Sequence, residues 1–394
     1  MIKKFLEVLL FFPSVTFSLI KAEIFPYGII YFLVGRVRLY KNVMLVIFLM
    51  IISSIYGALY FQEISDEVIR SIFAYLNPLL VYVYILNERK RSSENIVKFI
   101  FFGLLALGLL QFSGLANAIA LDSIIDILMS RGGTDVVEGG RGISLLSSEP
   151  SRAACEVTFV YILFRYSFLN HKVTIIFDVF IAFFILYFIR SATGLIYISI
   201  FLLLEYRLKL VIALGILFLA VGFSDLSSSS RALNLLHAAL SQDDFSSFVS
   251  LALNASGFRF ISVYAAYKSM FNAIFGFGVG FWEFSSKIAL NNSGIPAYDI
   301  SYFNTWFGGR YESVRPVAYF ASIALDMGII GFILLSNIVF KPVLQVFKMS
   351  EFKSAYITFA FYLIFLSAVG NPVPWLCIAY LINIDRLKIK LHNE

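Results

Sequence analysis

Apolar residues run in long blocks separated by short basic connections, and two hydrophilic stretches, 122–152 and 224–316, interrupt the series. A bilayer core about 30 Å thick needs roughly 20 apolar residues per helix. The blocks predict about twelve membrane-spanning helices, at 5–20, 22–35, 43–60, 71–86, 99–121, 153–169, 173–189, 192–206, 210–223, 317–340, 354–370 and 373–385. Pro13, Pro26 and Pro78 fall inside blocks, so some spans are expected to be tilted, kinked or re-entrant. The expected fold is all-α and polytopic, a single integral membrane domain over 1–394. Lys3 and Lys4 precede the first block as in a signal peptide, but no small-residue cleavage site follows. That block is read as an uncleaved first span.

Composition agrees. The chain of 394 residues is 60% hydrophobic and 14% charged, which excludes a soluble globular domain. Cys155 and Cys377 both lie in apolar blocks, so a disulfide framework is excluded and cysteine-based metal binding is not expected. The net charge of +6 reflects orientation in the membrane rather than affinity for nucleic acid. One set of alternate connections holds Lys3/Lys4, Arg36/Arg38/Lys41, Arg89/Lys90/Arg91/Lys98, Arg165/Lys172, Arg207/Lys209, Lys341/Lys348/Lys353 and Arg386/Lys388/Lys390. The short connections of the other set hold only Lys21, Arg70 and Arg190. The positive-inside rule therefore places both termini in the cytoplasm and both hydrophilic stretches on the outer face. The larger one, 224–316, carries apolar residues at helical spacing in Arg231–Leu240 and Phe258–Phe275, which predicts amphipathic helices at the membrane surface or over a cavity.

The outer face favours arginine: Arg70, Arg131, Arg141, Arg152, Arg190, Arg231, Arg259, Arg310 and Arg315. Lysine suffices for topology, whereas a guanidinium fork matches phosphate. That points to an anionic ligand, or to pairing with nearby acids and headgroups. In the run from Arg141 to Ala154, Pro150 after Ser-Ser-Glu marks a helix start at the outer surface. Glu149, Arg152 and Glu156 then share one helical face. Glu149 suits a general base beside an arginine, or a helix cap. Arg190-Ser-Ala-Thr-Gly194 forms a tight outer turn whose lone arginine suits phosphate or a loop acid. Gly276-Phe-Gly278-Val-Gly280 lets backbone approach a ligand or turn tightly, but lacks the strand–helix frame of a dinucleotide fingerprint. Asp178 and Asp326 fall inside predicted spans with no evident basic partner, and His237 is the only histidine of the large loop. Neither a catalytic metal nor a cofactor is expected.

Three features together, Arg141…Ser148-Glu149-Pro150-Ser151, Arg190-Ser-Ala-Thr-Gly194 and the large outer loop with Gly276–Gly280, resemble the Wzy-type O-antigen and capsular polysaccharide polymerases of the O-antigen ligase/polymerase superfamily. The likeness of architecture covers nearly the whole chain, and that of the motifs about a tenth of it. The resemblance implies a bacterial inner-membrane glycosyltransferase that transfers a growing glycan from undecaprenyl pyrophosphate onto a newly flipped, lipid-linked repeat. It implies Glu149 as base and Arg190 as the second catalytic residue, with Arg141, Arg152 and Arg259 on the pyrophosphate. Trp282, Tyr302, Trp306 and Arg310 would meet the glycan. The implied partners are the lipid-linked oligosaccharide, membrane lipids and a chain-length regulator, with no nucleic acid. An O-antigen ligase, which would need a loop histidine such as His237, and a flippase for the same lipid-linked repeat are the alternative readings.

Overall fold

Proline at the first helical turn costs no hydrogen bond, and α-helix begins at Pro150 as that rule requires. The computed structural model describes residues 2–16, 23–35, 40–90, 93–115, 121–129, 142–168, 171–206 and 257–393. Arg141, Arg131, Arg231, His237, the predicted span 210–223 and the predicted helix Arg231–Leu240 lie outside the described residues. The described part is helical, with no strand among the described residues.

In chain order the helices are α1 Ile2–Leu9, α2 Tyr27–Val34, α3 Lys41–Phe61, α4 Glu67–Asn87, α5 Glu94–Phe112, α6 Leu121–Leu128 and α7 Pro150–Phe168. There follow α8 His171–Phe183, which runs on as a π-helical turn Phe184–Ile189, and α9 Ala192–Tyr206. After the undescribed segment come α10 Arg259–Met270, α11 Trp282–Asn291, α12 Ser301–Phe307, α13 Tyr319–Phe347, α14 Lys353–Phe365 and α15 Val373–Asn393.

Four of the described helices, α3, α4, α5 and α13, are long and apolar enough to cross a membrane. Twelve continuous spans are not found among the described residues. The first two predicted spans, 5–20 and 22–35, hold helices of only 8 residues each, α1 and α2. At 1.5 Å per residue each covers about 12 Å, well short of a bilayer core. Hydropathy registers apolar length, but Pro13 and Pro26 divide that length into pieces. Pro78, by contrast, lies inside α4 without ending it. The α14 helix stops after 13 residues, before the predicted end of its span.

Burial sorts the helices into a centre and a rim. Every residue from Ala153 to Arg165 in α7 is buried, as is every residue from Tyr75 to Leu86 in α4. The α15 helix packs on both and is buried from Val373 through Ile382. A helix buried all round belongs at the centre of a bundle. The rim is apolar outward: α3 exposes Met44, Phe48, Ile51, Ile55 and Leu59 as a stripe at helical spacing. Such a face is costly against water and costs nothing against lipid tails.

The basic end of the bundle holds a buried ion cluster that sequence reading had missed. Asp178 on α8 has a cationic partner after all: Arg165 on α7 lies 3.1 Å away and reaches Glu205 on α9 at 2.8 Å. Tyr161 and Tyr206 also donate to Asp178. Arg165, counted above as a loop cation, is therefore a buried tie between three helices.

The glycine run Gly276–Gly280 is also a packing device. A Cβ on Gly276 would stand 2.4 Å from the Asp326 carbonyl carbon, and one on Gly280 2.4 Å from Val68 Cα. The run docks on α13 where that helix breaks at Gly328, with Phe277 N–H donating to Leu325 O at 3.0 Å and Gly278 N–H to Asp326 O at 2.9 Å. It does not line the cavity described next.

Candidate substrate cavity

Several helices begin at the end of the bundle opposite the Arg165 cluster. The starts of α4, α7, α9, α10 and α11 and the loops before α2, before α13 and after α14 enclose a cavity of about 840 Å³. Helix N-termini present unpaired N–H groups and partial positive charge, which favour an anion. Four arginines, Arg70, Arg152, Arg259 and Arg315, stand in the wall beside the acids Glu23, Asp66, Glu67 and Glu149. Ile24, Ile69, Phe73, Val317 and Leu366 make the remaining wall apolar.

Glu149 sits at the α7 start with its backbone carbonyl accepting from Arg152 and Ala153 N–H, both at 3.1 Å. Its carboxylate accepts from Ser151 Oγ at 3.2 Å and stands 3.6 Å from Arg259 Nη2. The side chain is thus turned to the cavity rather than onto the helix amides. Half of it stays exposed (51%) and so does much of Arg259 (38%), so this pair is a loose, wet one. One turn into α7, Arg152 is held firmly: Nη2 lies 2.9 Å from Glu23 Oε2, and Nη1 donates to Ser148 Oγ at 2.7 Å.

Glu156, two turns below Glu149, is a different kind of carboxylate. It is buried and accepts from Ser147 Oγ and, at 3.2 Å, from Asn371 Nδ2. It clasps the Ser147 turn to the loop after α14, so it shapes the cavity floor. Asn77 does similar work on the opposite wall, accepting from Gly28 N–H at 2.7 Å and donating to Gly370 O at 2.8 Å.

Of the residues singled out from sequence, the cavity gathers Glu149, Arg152, Arg259 and Trp282. Arg190 is not in its wall. It closes the π-helical turn with left-handed φ of 54°, and its Nε donates to Tyr187 O at 3.3 Å. Its neighbours still belong to the site: Thr193 lines the cavity, and Gly194 packs on Ala154 of α7. Gly142 lies directly on the Ile189 carbonyl, and Ile143 N–H donates to Phe188 O at 3.1 Å. The two polar motifs of the sequence therefore meet in space.

Tyr302, Trp306 and Arg310 are also absent from the wall. They belong to α12 and the turn after it, where Tyr302 stacks near Phe258 with centroids 5.0 Å apart and Trp306 is 74% exposed. Nearby, Lys287 and Glu312 tie α11 to the segment before α13, at 3.4 Å. The Ser313 amide and Lys287 hold the Glu312 carboxyl below its usual range.

Sequence reading counted Arg70 and Arg315 among the outer arginines but placed neither in a site. Arg315 carried a usable signal, because Arg315-Pro316 stands directly before the apolar run that becomes α13. The acid partner of Arg152, Glu23, carried none.

No protein family, no curated protein and no solved structure matches this chain. The functional reading rests on the motif resemblance in the sequence and on the chemistry of the cavity.

Proposed function

We propose that the protein polymerises undecaprenyl-pyrophosphate-linked oligosaccharide repeats into O-antigen or capsular polysaccharide, by glycosyl transfer at the outer face of a bacterial inner membrane. The observation that carries this reading is one cavity that joins a cationic wall, a half-exposed carboxylate and an apolar wall at the end of an apolar helix bundle. An amphiphile with an anionic head and a polar extension matches those three surfaces. About 840 Å³ is within the range of small-ligand sites, roughly 300–1,000 Å³.

In this scheme the acceptor hydroxyl oxygen attacks the anomeric carbon of the donor sugar. The new C–O bond forms as the bond to pyrophosphate breaks, the hydroxyl proton passes to Glu149, and the lipid pyrophosphate leaves with the electron pair. A pyrophosphate is already a stable anion, so it needs charge stabilisation more than acid help, and Arg152 and Arg259 supply it. Arg259 has a second task. While it pairs with Glu149 it occupies that carboxylate. A bound phosphate competes for the same guanidinium and leaves Glu149 free to take a proton. Arg190 serves at one remove, by holding the turn against which Gly142 packs.

The test is deletion of the gene in its host, with surface polysaccharide resolved on a gel stained for lipopolysaccharide. Core bearing a single repeat and no ladder supports polymerisation. Bare core with long lipid-linked chains on the outer leaflet indicates a ligase, bare core with single repeats trapped inside indicates a flippase, and an unchanged ladder contradicts all three.

A further inference from the structure

Three of the four cavity arginines have a carboxylate partner: Arg70 with Glu67 at 3.0 Å, Arg152 with Glu23 at 2.9 Å and Arg259 with Glu149 at 3.6 Å. Arg315 has none among the described residues. Its Nη2 makes a 3.4 Å contact with Ser71 Oγ, its Nε is buried without an acceptor, and its guanidinium carbon lies 5.7 Å from the centre of the Tyr75 ring. A half-buried cation with no carboxylate in contact is costly to keep, unless a ligand supplies the anion.

The residue beneath it explains how the cation is held in place. The Tyr75 hydroxyl donates to Asp326 Oδ2 at 2.6 Å, so the ring that faces Arg315 is anchored edge-on to a buried carboxylate. The Asp326 backbone carbonyl accepts from Ser53 Oγ at 2.6 Å and from Gly278 N–H at 2.9 Å, which fixes the aspartate to α3 and to the glycine run. Tyr319, which donates to the Tyr75 carbonyl at 2.8 Å, packs edge-on against the same ring. Asp326 is buried and does not line the cavity. It is linked to Arg315 through Tyr75, with no ion pair between the two.

We infer that Arg315 is the principal anion-binding residue of the cavity, receiving an anionic oxygen group of the substrate, and that Asp326 is a positioning residue acting on it through Tyr75. The inference rests on the cavity being the substrate site, as in the function proposed above, but not on polymerisation. The anionic group has two possible sources, the pyrophosphate of the lipid carrier or an acid group on the glycan. Arg70, Arg152 and Arg259 each share their charge with a carboxylate in contact, whereas Arg315 does not.

The experiment uses the purified full-length protein in lipid nanodiscs. Binding of sugar-free undecaprenyl pyrophosphate, of undecaprenol and of a lipid-free hexuronic acid trisaccharide is measured by thermophoresis. Arg315→Ala is expected to weaken pyrophosphate binding by at least about 30-fold, and Arg315→Lys by about tenfold. Undecaprenol binding and the surface control Lys287→Ala should stay at the wild-type level. Asp326→Asn should weaken pyrophosphate binding by about fivefold in the wild-type background and have no further effect in Arg315→Ala. Loss of trisaccharide binding in Arg315→Ala, with lipid pyrophosphate unaffected, assigns the anion to the glycan and keeps Arg315 as its site. Undiminished binding of both probes by Arg315→Ala overturns the inference. An Asp326→Asn effect that persists in Arg315→Ala overturns the positioning role. None of these results depends on whether glycan chains are made, so an unchanged ladder in the deletion strain would count against the proposed function and not against the role of Arg315.

Discussion

Arg259 at the start of α10 stands 3.6 Å from the carboxylate of Glu149 at the start of α7, and the pair bridges segments more than a hundred residues apart in the chain. This contact closes one side of the cavity with two side chains that are both partly wet. A tight buried pair would lock the carboxylate; a loose one can open when an anion arrives.

Glu149→Gln is therefore expected to stop chain growth, with a rate loss of about 10²–10⁴-fold typical of removing a general base. Protein level in the membrane should not change, because the glutamine keeps the volume and the bond from Ser151. Immunoblot of membranes beside the polysaccharide gel checks both parts. Arg259→Ala should raise KM as well as lower kcat, since it removes a phosphate contact along with the partner of Glu149.

Arg165 and Asp178 are each less than a tenth exposed, and removing one leaves the other charged in an apolar bundle. Arg165→Met is expected to cost about 3–5 kcal/mol, because it strands the carboxylates of Asp178 and Glu205. Thermal unfolding of the detergent-solubilised protein measures it. The triple change Arg165→Met with Asp178→Leu and Glu205→Gln should recover part of that loss, because no uncompensated charge remains.

Gly276 has φ of +74° and no room for a side chain, since a Cβ would meet the α13 backbone at Asp326. Gly308 also has positive φ, +60°, but open space around it. Gly308→Ala should cost about 1 kcal/mol from backbone strain alone, and Gly276→Ala clearly more, with loss of the docked loop. Comparison of the two melting temperatures separates strain from collision.

Asn77 links α2, α4 and the loop after α14 through one buried side chain. Asn77→Leu strands the Gly28 N–H and Gly370 carbonyl, each costing about 1–3 kcal/mol. The variant should also lose affinity for the cavity ligand, because Asn77 and Gly370 both line the wall. A melting curve and the nanodisc binding assay read the two effects.

Local features of the fold were legible in sequence and distant ones were not. The apolar runs of α3, α4 and α13 and the Pro150 start of α7 follow from periodicity and proline chemistry within a few residues. Pro13 and Pro26 were visible as breaks, yet hydropathy gives no measure of whether a break splits a span or merely bends it, as the continuous α4 at Pro78 shows. Glu149 was findable because its helix-start signal is local. Its partner Arg259, the Arg152 partner Glu23 and the Tyr75–Asp326 bond depend on which helices pack together, and spacing along the chain does not encode that. The glycine run was ambiguous for a related reason: a requirement for close approach reads the same whether a ligand or a neighbouring helix comes near. In this chain it is α3, α4 and α13. Lone aromatics such as Trp306 gave no direction at all, because stacking on a sugar and facing solvent look alike in a sequence.

The central claim is that this cavity makes glycosidic bonds between lipid-linked repeats. The most direct measurement takes the single-repeat lipid that accumulates in the deletion strain and incubates it with the purified protein in proteoliposomes. Products are then sized by mass spectrometry and released undecaprenyl pyrophosphate is counted. The account predicts lipid-linked glycans of two, three and more repeats, one free undecaprenyl pyrophosphate per bond formed, and none of either with Glu149→Gln. Repeats that only change leaflet, or no new glycosidic bond with the wild-type protein, would contradict it.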